Sequence, residues 1–233
     1  MMFDYDPALM VAAGGVPNSI GDVIHIMQEI DAKCVDMDGL KWFNWLYLQV
    51  TQAVQAHVQS GAVGDPLWLA NLDVQFARLY LGALHSYLQS ESTPQCWQEL
   101  FQRRNESQLG RIQFALAGIN AHINHDLPEA LVATGSLTGQ HYTDYTALNA
   151  TLDGLIELAK KTLMVRLPGD PLPAVSQLED VIAGWSVAAV RETAWQNAEI
   201  LSHLDGVAQL AANFLNTLDV LSSAGNGVLL VVV

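Results

Sequence analysis

Hydrophobic residues recur along most of this chain every three or four positions, which is the spacing of one face of an α-helix. The alternation of apolar and polar residues that marks a strand is nearly absent. Polar caps, glycines and prolines divide the pattern into segments. The predicted helices have approximate bounds of 18–33, 38–61, 66–87, 94–104, 110–128, 144–165, 174–205 and 206–221.

The pattern has one clear break, the stretch "LPGDPLP" at 167–173, because three prolines and a glycine cannot continue a helix. No internal repeat or low-complexity linker divides the 233 residues, and this length suits one large domain. The sequence therefore predicts an all-α fold, with a single bundle-like domain of seven or eight helices over residues 1–233. The tail "GVLLVVV" is expected to form a short strand or a tucked extended end.

Composition and charge narrow the classes of partner. Half of the residues are hydrophobic, so a substantial core is expected. The net charge of -14 disfavours nucleic acids and anionic membranes but leaves a small substrate in a pocket open. No uncharged apolar stretch reaches the roughly 20 residues that span a bilayer, and "MMFDYDPALMVAAGG" lacks the basic start of a secretory signal. We therefore expect a cytoplasmic protein without a membrane span.

The stretch "NAHINHDLP" at 120–128 concentrates candidate chemistry. His122 and Asp126 are four residues apart and point the same way on a helix, so they can grip a divalent cation together or form a buried hydrogen-bonded pair. His125 lies about 60° around the helix from His122, as a third ligand, a general base or a surface residue. Pro128 removes a backbone hydrogen bond, so the helix is expected to kink or end there.

Asp73 is a second candidate, because it lies on the inward stripe of the third predicted helix. A buried carboxylate without a partner is costly, so Asp73 should be paired, protonated or bound to metal. A salt bridge with Arg78 or Arg191 is the structural alternative.

Arg191 is the third candidate, since it lies on a helix face that is otherwise free of charge. It can bind a substrate oxyanion, pair with Asp73 or Asp126, or extend past Trp195 towards solvent. Its neighbour Glu192 is a candidate acid or fourth metal ligand. The candidate substrate-binding residues are Asp73, Tyr80, Asn149, Glu192 and Trp195.

Two family resemblances arise at these residues. The block "QFALAGINAHINHDLPEALV" at 113–132, with "DVQFARLYLGAL" before it, resembles a bacterial family of unknown function over most of the chain. A more distant resemblance is to the central helix of zinc-dependent phospholipase C and the related single-strand nucleases, which are all-α. It is carried by Ala115, Leu116, His122, Asp126, Leu127 and Pro128.

The second resemblance implies His122, Asp126 and Asp73 as metal ligands, with His85 as the only candidate for a further ligand. The implied cofactor is a divalent metal, zinc first and iron or manganese next, or none. The chain has Val132 where those enzymes have another His, so the resemblance implies at best a reduced site of one or two metals.

Three functions remain open from the sequence. The first is a hydrolase of a phosphoester or ester, in which Arg191 holds the substrate anion and His125 acts as acid or base. The second is an enzyme without metal, a cyclase or isomerase of natural-product metabolism. In it, His122 and Asp126 form an acid–base pair in an apolar pocket. The third is a helical module that binds an apolar ligand or forms a homodimer through its Trp-rich second helix.

Overall fold

The computed structural model describes residues 2–164, 186–204 and 206–232, and within them every regular element is a helix. This confirms the predicted all-α class. The α-helices are α1 (Asp6–Ala13), α2 (Ile20–Lys33), α3 (Gly39–Gln59), α4 (Pro66–Leu88), α5 (Gln95–Arg103), α6 (Arg111–Ala121), α7 (Leu127–Ala133), α8 (Gly139–Ala147), α9 (Asn149–Leu163), α10 (Val187–His203) and α11 (Ala208–Leu229). A π-helical turn, His122–Asp126, joins α6 to α7.

Side-chain caps set many of the helix starts. The Ser19 hydroxyl accepts the amide N–H of Asp22 at the start of α2. Asp38 caps α3 and Asp65 caps α4 in the same way. These caps were visible in the sequence, which is why the predicted starts of the second and third helices agree with the structure.

Three helical segments differ from the predicted ones. Helix α1 was not predicted, and the segment predicted at 144–165 consists of two helices, α8 and α9, which meet at Leu148. The last helix continues to Leu229 instead of ending near Leu221, so the tail begins inside a helix. Asn226 explains the extension, because its buried amide donates to the Cys96 carbonyl and holds this glycine-containing turn against α5. The break at 167–173 and the first part of the predicted 174–205 helix lie outside the described residues.

Helices α3, α4 and α6 form the centre of the core, and the π-helical turn contacts α4, α10 and α11. Helices α3 and α6 approach closely at Gly118, where an added Cβ would lie 2.2 Å from the Phe43 ring. In the described part of the chain, no helix combines the length and the apolar character needed to cross a membrane. The cytoplasmic location stays a prediction.

A buried ion cluster holds the N-terminal segment to the core. The Arg104 guanidinium donates to Asp38 at 2.9 and 2.6 Å and to Asp6 at 2.8 Å. The Tyr5 hydroxyl donates to Asp38 as well. All three charged side chains are almost inaccessible to solvent. The cluster therefore links α1, the start of α3 and the end of α5 through charges that have partners.

We predict that Asp38→Asn lowers the free energy of unfolding by about 3–5 kcal/mol, because it leaves the buried Arg104 short of a carboxylate. Asp36→Asn is the matched control, since Asp36 pairs with Lys41 on the surface and should cost less than about 1 kcal/mol. Urea denaturation of both variants measures the difference. Equal losses in the two variants would contradict the prediction.

Candidate functional site

The polar cluster of the π-helical turn forms where Pro128 removes a backbone donor. The sequence predicted that the helix kinks or ends at Pro128, and the structure shows that it does not end there. It widens into the turn His122–Asp126 and continues as α7. The amide of Leu127 donates to the carbonyl of His122, five residues back. The widened turn carries His122, His125 and Asp126, the three candidate residues of the motif.

Asp126 is the centre of this cluster and accepts from three N–H donors. His122 Nδ1 lies 2.8 Å from Oδ2, and His125 Nδ1 lies 2.6 Å from Oδ1. The third donor is the indole of Trp97 on α5, 3.0 Å from Oδ2. A carboxylate only accepts hydrogen bonds, so both histidines carry a proton on Nδ1. The predicted contact between His122 and Asp126 is therefore present.

The surroundings shift the pKa values of the two histidines in opposite directions. Burial lowers the pKa of His122 below its ordinary value, more than its hydrogen bond to Asp126 raises it. Burial also lowers the pKa of His125, but the hydrogen bond and charge of Asp126 outweigh it, and the net pKa is raised. Burial raises the pKa of Asp126, yet its hydrogen bonds to both histidines hold it below the ordinary value. Asp126 is thus the anion and His125 the more basic imidazole.

His122 lies inside a cage of aromatic rings. Its ring stacks on Phe76 with centroids 3.4 Å apart and meets the edge of Tyr47 at 4.4 Å. Its Nε2 atom is buried and has no hydrogen-bond partner in the described part of the chain. Phe76 and Tyr47 in turn line a pocket, so the imidazole supports the pocket wall from behind.

The geometry of this cluster does not fit the metal site that the resemblance implies. Both oxygens of Asp126 already accept hydrogen bonds, and His122 directs its Nδ1 proton at one of them. Within residues 2–164, 186–204 and 206–232, no three His, Cys, Asp or Glu side chains are close enough to hold one ion. Asp73 therefore does not join His122 and Asp126 as a ligand set. Metal binding by this chain stays a prediction.

The pocket lies between α3, α4, α9 and α10, and Asp73 is its buried acid. The pocket has a volume of about 40 Å³ and is partly open to solvent. Its walls are mostly aliphatic, with Val54, Leu72 and Leu152 among them, and its polar groups are Tyr47, Asp73 and Arg191. This volume holds roughly three water-sized groups. A ligand can therefore place one small end in the pocket.

Asp73 is the buried acid of this pocket, and no described residue forms an ion pair with it. Its Oδ2 atom is buried and makes no hydrogen bond in the described part of the chain. The predicted salt bridge is absent, because Arg78 donates to the Pro17 carbonyl and Arg191 to neutral oxygens. Burial raises the pKa of Asp73 from 3.8 to about 8. The side chain is therefore a neutral carboxylic acid at pH 7 and can donate a proton.

The other predicted site residues lie outside the pocket. Tyr80 is buried in the core with its hydroxyl near Asn44, and Trp195 is buried against Trp68 and the tyrosines of α8. Glu192 is not buried, and its carboxylate accepts a hydrogen bond from the Tyr142 hydroxyl on the surface.

Two further predicted residues have structural partners instead of a place in the pocket. Asn149 accepts from Arg191 Nε and so positions the guanidinium. His85 packs against Gly14, and its Nδ1 lies 2.9 Å from the Met10 carbonyl. It is nine residues beyond Phe76 on α4, about 13 Å along the helix axis, and its role as a further metal ligand stays a prediction.

The sequence did not reveal Trp97 as the third donor to Asp126, because nothing in the local pattern of α5 points to a residue on another helix. Tyr47 was not among the predicted site residues either. Its position on the face that α3 turns towards α4 was a usable signal, since Asp73 lies on the facing stripe.

The fold and the pocket define an all-helical protein with one neutral acid and one cation in a largely apolar pocket. The chain belongs to a family of unknown function, DUF5995, which it matches over residues 20–231. This confirms the first resemblance and brings no activity with it. No curated protein and no solved structure matches the chain. The resemblance to zinc-dependent phospholipase C stays a prediction.

We predict that the stability of Asp73→Asn relative to the wild type increases as the pH rises from 4 to 8. The folded state keeps the Asp73 proton up to about pH 8, whereas the unfolded chain releases it near 3.8. Between these values the wild type should lose about 1.4 kcal/mol of unfolding free energy per pH unit, and the variant should not. Denaturation curves across this range measure it.

The control for that series is Asp153→Asn, which changes an exposed carboxylate of α9. It should alter the free energy of unfolding by less than about 0.5 kcal/mol. If the curves of the Asp73 variant and the wild type run parallel with pH, Asp73 is not a buried neutral acid.

We also predict that, in the wild type, the pKa of His125 lies above 6.5 and the pKa of His122 lies below 6.5. Asp126→Asn should lower the pKa of His125 below 6.5, because burial remains and the charged partner is removed. Glu129→Gln is the control, since Glu129 contributes only a weaker charge effect on His125. NMR titration of the imidazole carbons measures each pKa; an unchanged His125 in the Asp126 variant contradicts the prediction.

Proposed function

We propose that this chain is an enzyme that isomerises or cyclises a small organic molecule by acid–base chemistry, with Asp73 as the proton donor. The observation that supports this most is a buried carboxyl oxygen without a partner that lines a partly open pocket. The buried carboxylates Asp38 and Asp126, which hold helices together, both have hydrogen-bond partners. A buried carboxyl group that lines a cavity and has no hydrogen-bond partner is a candidate for catalysis.

The chemistry follows from the protonation state of Asp73. At neutral pH its carboxylic acid can donate a proton to a basic atom of the bound molecule, and the resulting carboxylate can accept a proton from a neighbouring atom. The enzyme then ends as it began, and the substrate has moved a hydrogen or closed a ring. A pKa near the working pH makes both transfers accessible. The mostly aliphatic walls favour the neutral form of the acid.

Tyr47 is a second hydrogen-bonding group beside the acid. Burial, followed by the charge of Asp73, raises the pKa of its hydroxyl, so the phenol remains protonated. It can therefore donate a hydrogen bond to the substrate atom that gains charge. The cluster around Asp126 acts through this residue, because His122 packs against both Tyr47 and Phe76 and positions the pocket wall. In this proposal His122, His125 and Asp126 are positioning residues.

The alternative function is a binding module without chemistry. The apolar walls of the pocket favour it, since they suit an aliphatic group whether or not a reaction follows. It differs from the enzyme in one respect that can be measured: replacing the acid of Asp73 by an amide would leave a binding module working.

The experiment uses a small-molecule extract of the source cells, incubated in heavy water with the purified protein. We expect the wild type to alter a few compounds and to introduce deuterium into them, because the Asp73 proton exchanges with solvent. Asp73→Asn should slow these changes by about a hundredfold or more. Asp153→Asn should act as the wild type does. Mass spectrometry follows the compounds.

Two outcomes contradict the proposed function. Equal turnover by the wild type and the Asp73 variant would remove Asp73 from the chemistry. An extract that the wild type leaves unchanged, together with a compound retained on the protein, would favour the binding module.

A further inference from the structure

Two arginines are buried in the described part of this chain, and only one of them has anionic partners. Arg104 is held by Asp6 and Asp38, as described above. Arg191 is 7% exposed and forms no ion pair with any residue in the described ranges. A buried cation without a counter-ion is unfavourable, so its surroundings should supply a negative charge.

Within the described ranges, the contacts of the Arg191 guanidinium are with neutral groups. Nε donates to the Asn149 side-chain oxygen at 2.8 Å, and one Nη atom donates to the Tyr145 carbonyl at 2.7 Å. The guanidinium carbon lies 3.8 Å from the centre of the Tyr145 ring. These contacts fix the plane of the side chain. The other Nη atom has no hydrogen-bond partner among the described residues.

Arg191 is also one of the residues that line the pocket that contains Asp73. With Asp73 neutral at pH 7, the lining has a net charge of about +1, although the whole chain is strongly acidic. A bound anion would therefore compensate the cation. Arg191 is thus a buried cation that lacks an anionic partner among the described residues.

We propose that the pocket binds a small monocarboxylate, whose carboxylate group pairs with Arg191 and whose short aliphatic end lies against the α3, α4 and α9 walls. This inference names the substrate class of the proposed function and rests on the same pocket.

A monocarboxylate fits the pocket better than a phosphate does. The pocket has room for roughly three water-sized groups, so it can hold the carboxylate group while the short aliphatic end lies along the walls towards the open side of the pocket. A phosphate dianion usually engages several cationic or backbone donors, and Arg191 is the only cationic side chain that lines the pocket among the described residues. The remaining lining is mostly aliphatic, with Val54 and Leu152 as examples, and suits the hydrocarbon part of a short acid.

The test is a calorimetric titration of the full chain at pH 7 with butyrate and with butyramide, its neutral counterpart of the same shape. We expect butyrate to bind at least about tenfold more tightly, because the charged hydrogen bond to Arg191 is lost with the amide. This comparison needs no variant, so it is independent of any effect of mutation on folding.

Two variants locate the interaction. Arg191→Met keeps the side-chain volume and should weaken butyrate binding about tenfold or more while leaving butyramide binding unchanged. Arg78→Met is the matched control, since Arg78 binds the Pro17 carbonyl on the other side of α4 from the pocket lining, and it should bind butyrate as the wild type does.

Equal affinity for acid and amide, unchanged butyrate binding in Arg191→Met, or no saturable butyrate binding at tens of millimolar would each overturn the proposal. The Asp73→Asn variant separates this proposal from the proposed function. It should still bind butyrate through Arg191 although it loses turnover. Normal turnover in Asp73→Asn with Arg191-dependent butyrate binding would reject the enzyme mechanism and keep the anion site.

Discussion

The carboxylate of Asp126 is the buried charge around which the centre of this fold is arranged. It accepts from the indole of Trp97 on α5 and from two imidazoles of its own turn. Removing any of these donors would leave the buried anion with fewer hydrogen bonds, which destabilises the folded state. The requirement fixes how α5 meets the π-helical turn, and the position of His122 then fixes the rings of Phe76 and Tyr47 that wall the pocket.

The buried ionisable groups fall into two kinds, and the difference between them suggests where chemistry takes place. Asp126 and Arg104 have partners of opposite charge or hydrogen-bond donors on other elements, so they stabilise contacts between helices. Asp73 and Arg191 lack charged partners in the described residues and both line the same pocket. Groups of the first kind hold the scaffold rigid. Groups of the second kind carry an unsatisfied interaction that a ligand can complete.

Sequence periodicity predicted the helical class and the contact between His122 and Asp126, because both depend on residues within one or two turns of a helix. It could not predict which distant residue meets which face. Trp97 approaches Asp126 from another helix, and Asp6 meets Arg104 from 98 residues away. Pro128 signalled a disturbed helix, but whether the helix ends or widens into a π-helical turn depends on the packing around it. The neutral state of Asp73 likewise follows from burial without a partner.

Titration of Asp73 itself tests whether this side chain is a neutral acid inside the pocket. Carbon-13 NMR of the aspartate carboxyl groups, with Asp73→Asn to assign the signal, follows the protonation of this side chain across the pH range. We expect a midpoint near pH 8. A midpoint close to the ordinary value of 3.8 would show that Asp73 is charged at neutral pH and is not the neutral proton donor proposed here.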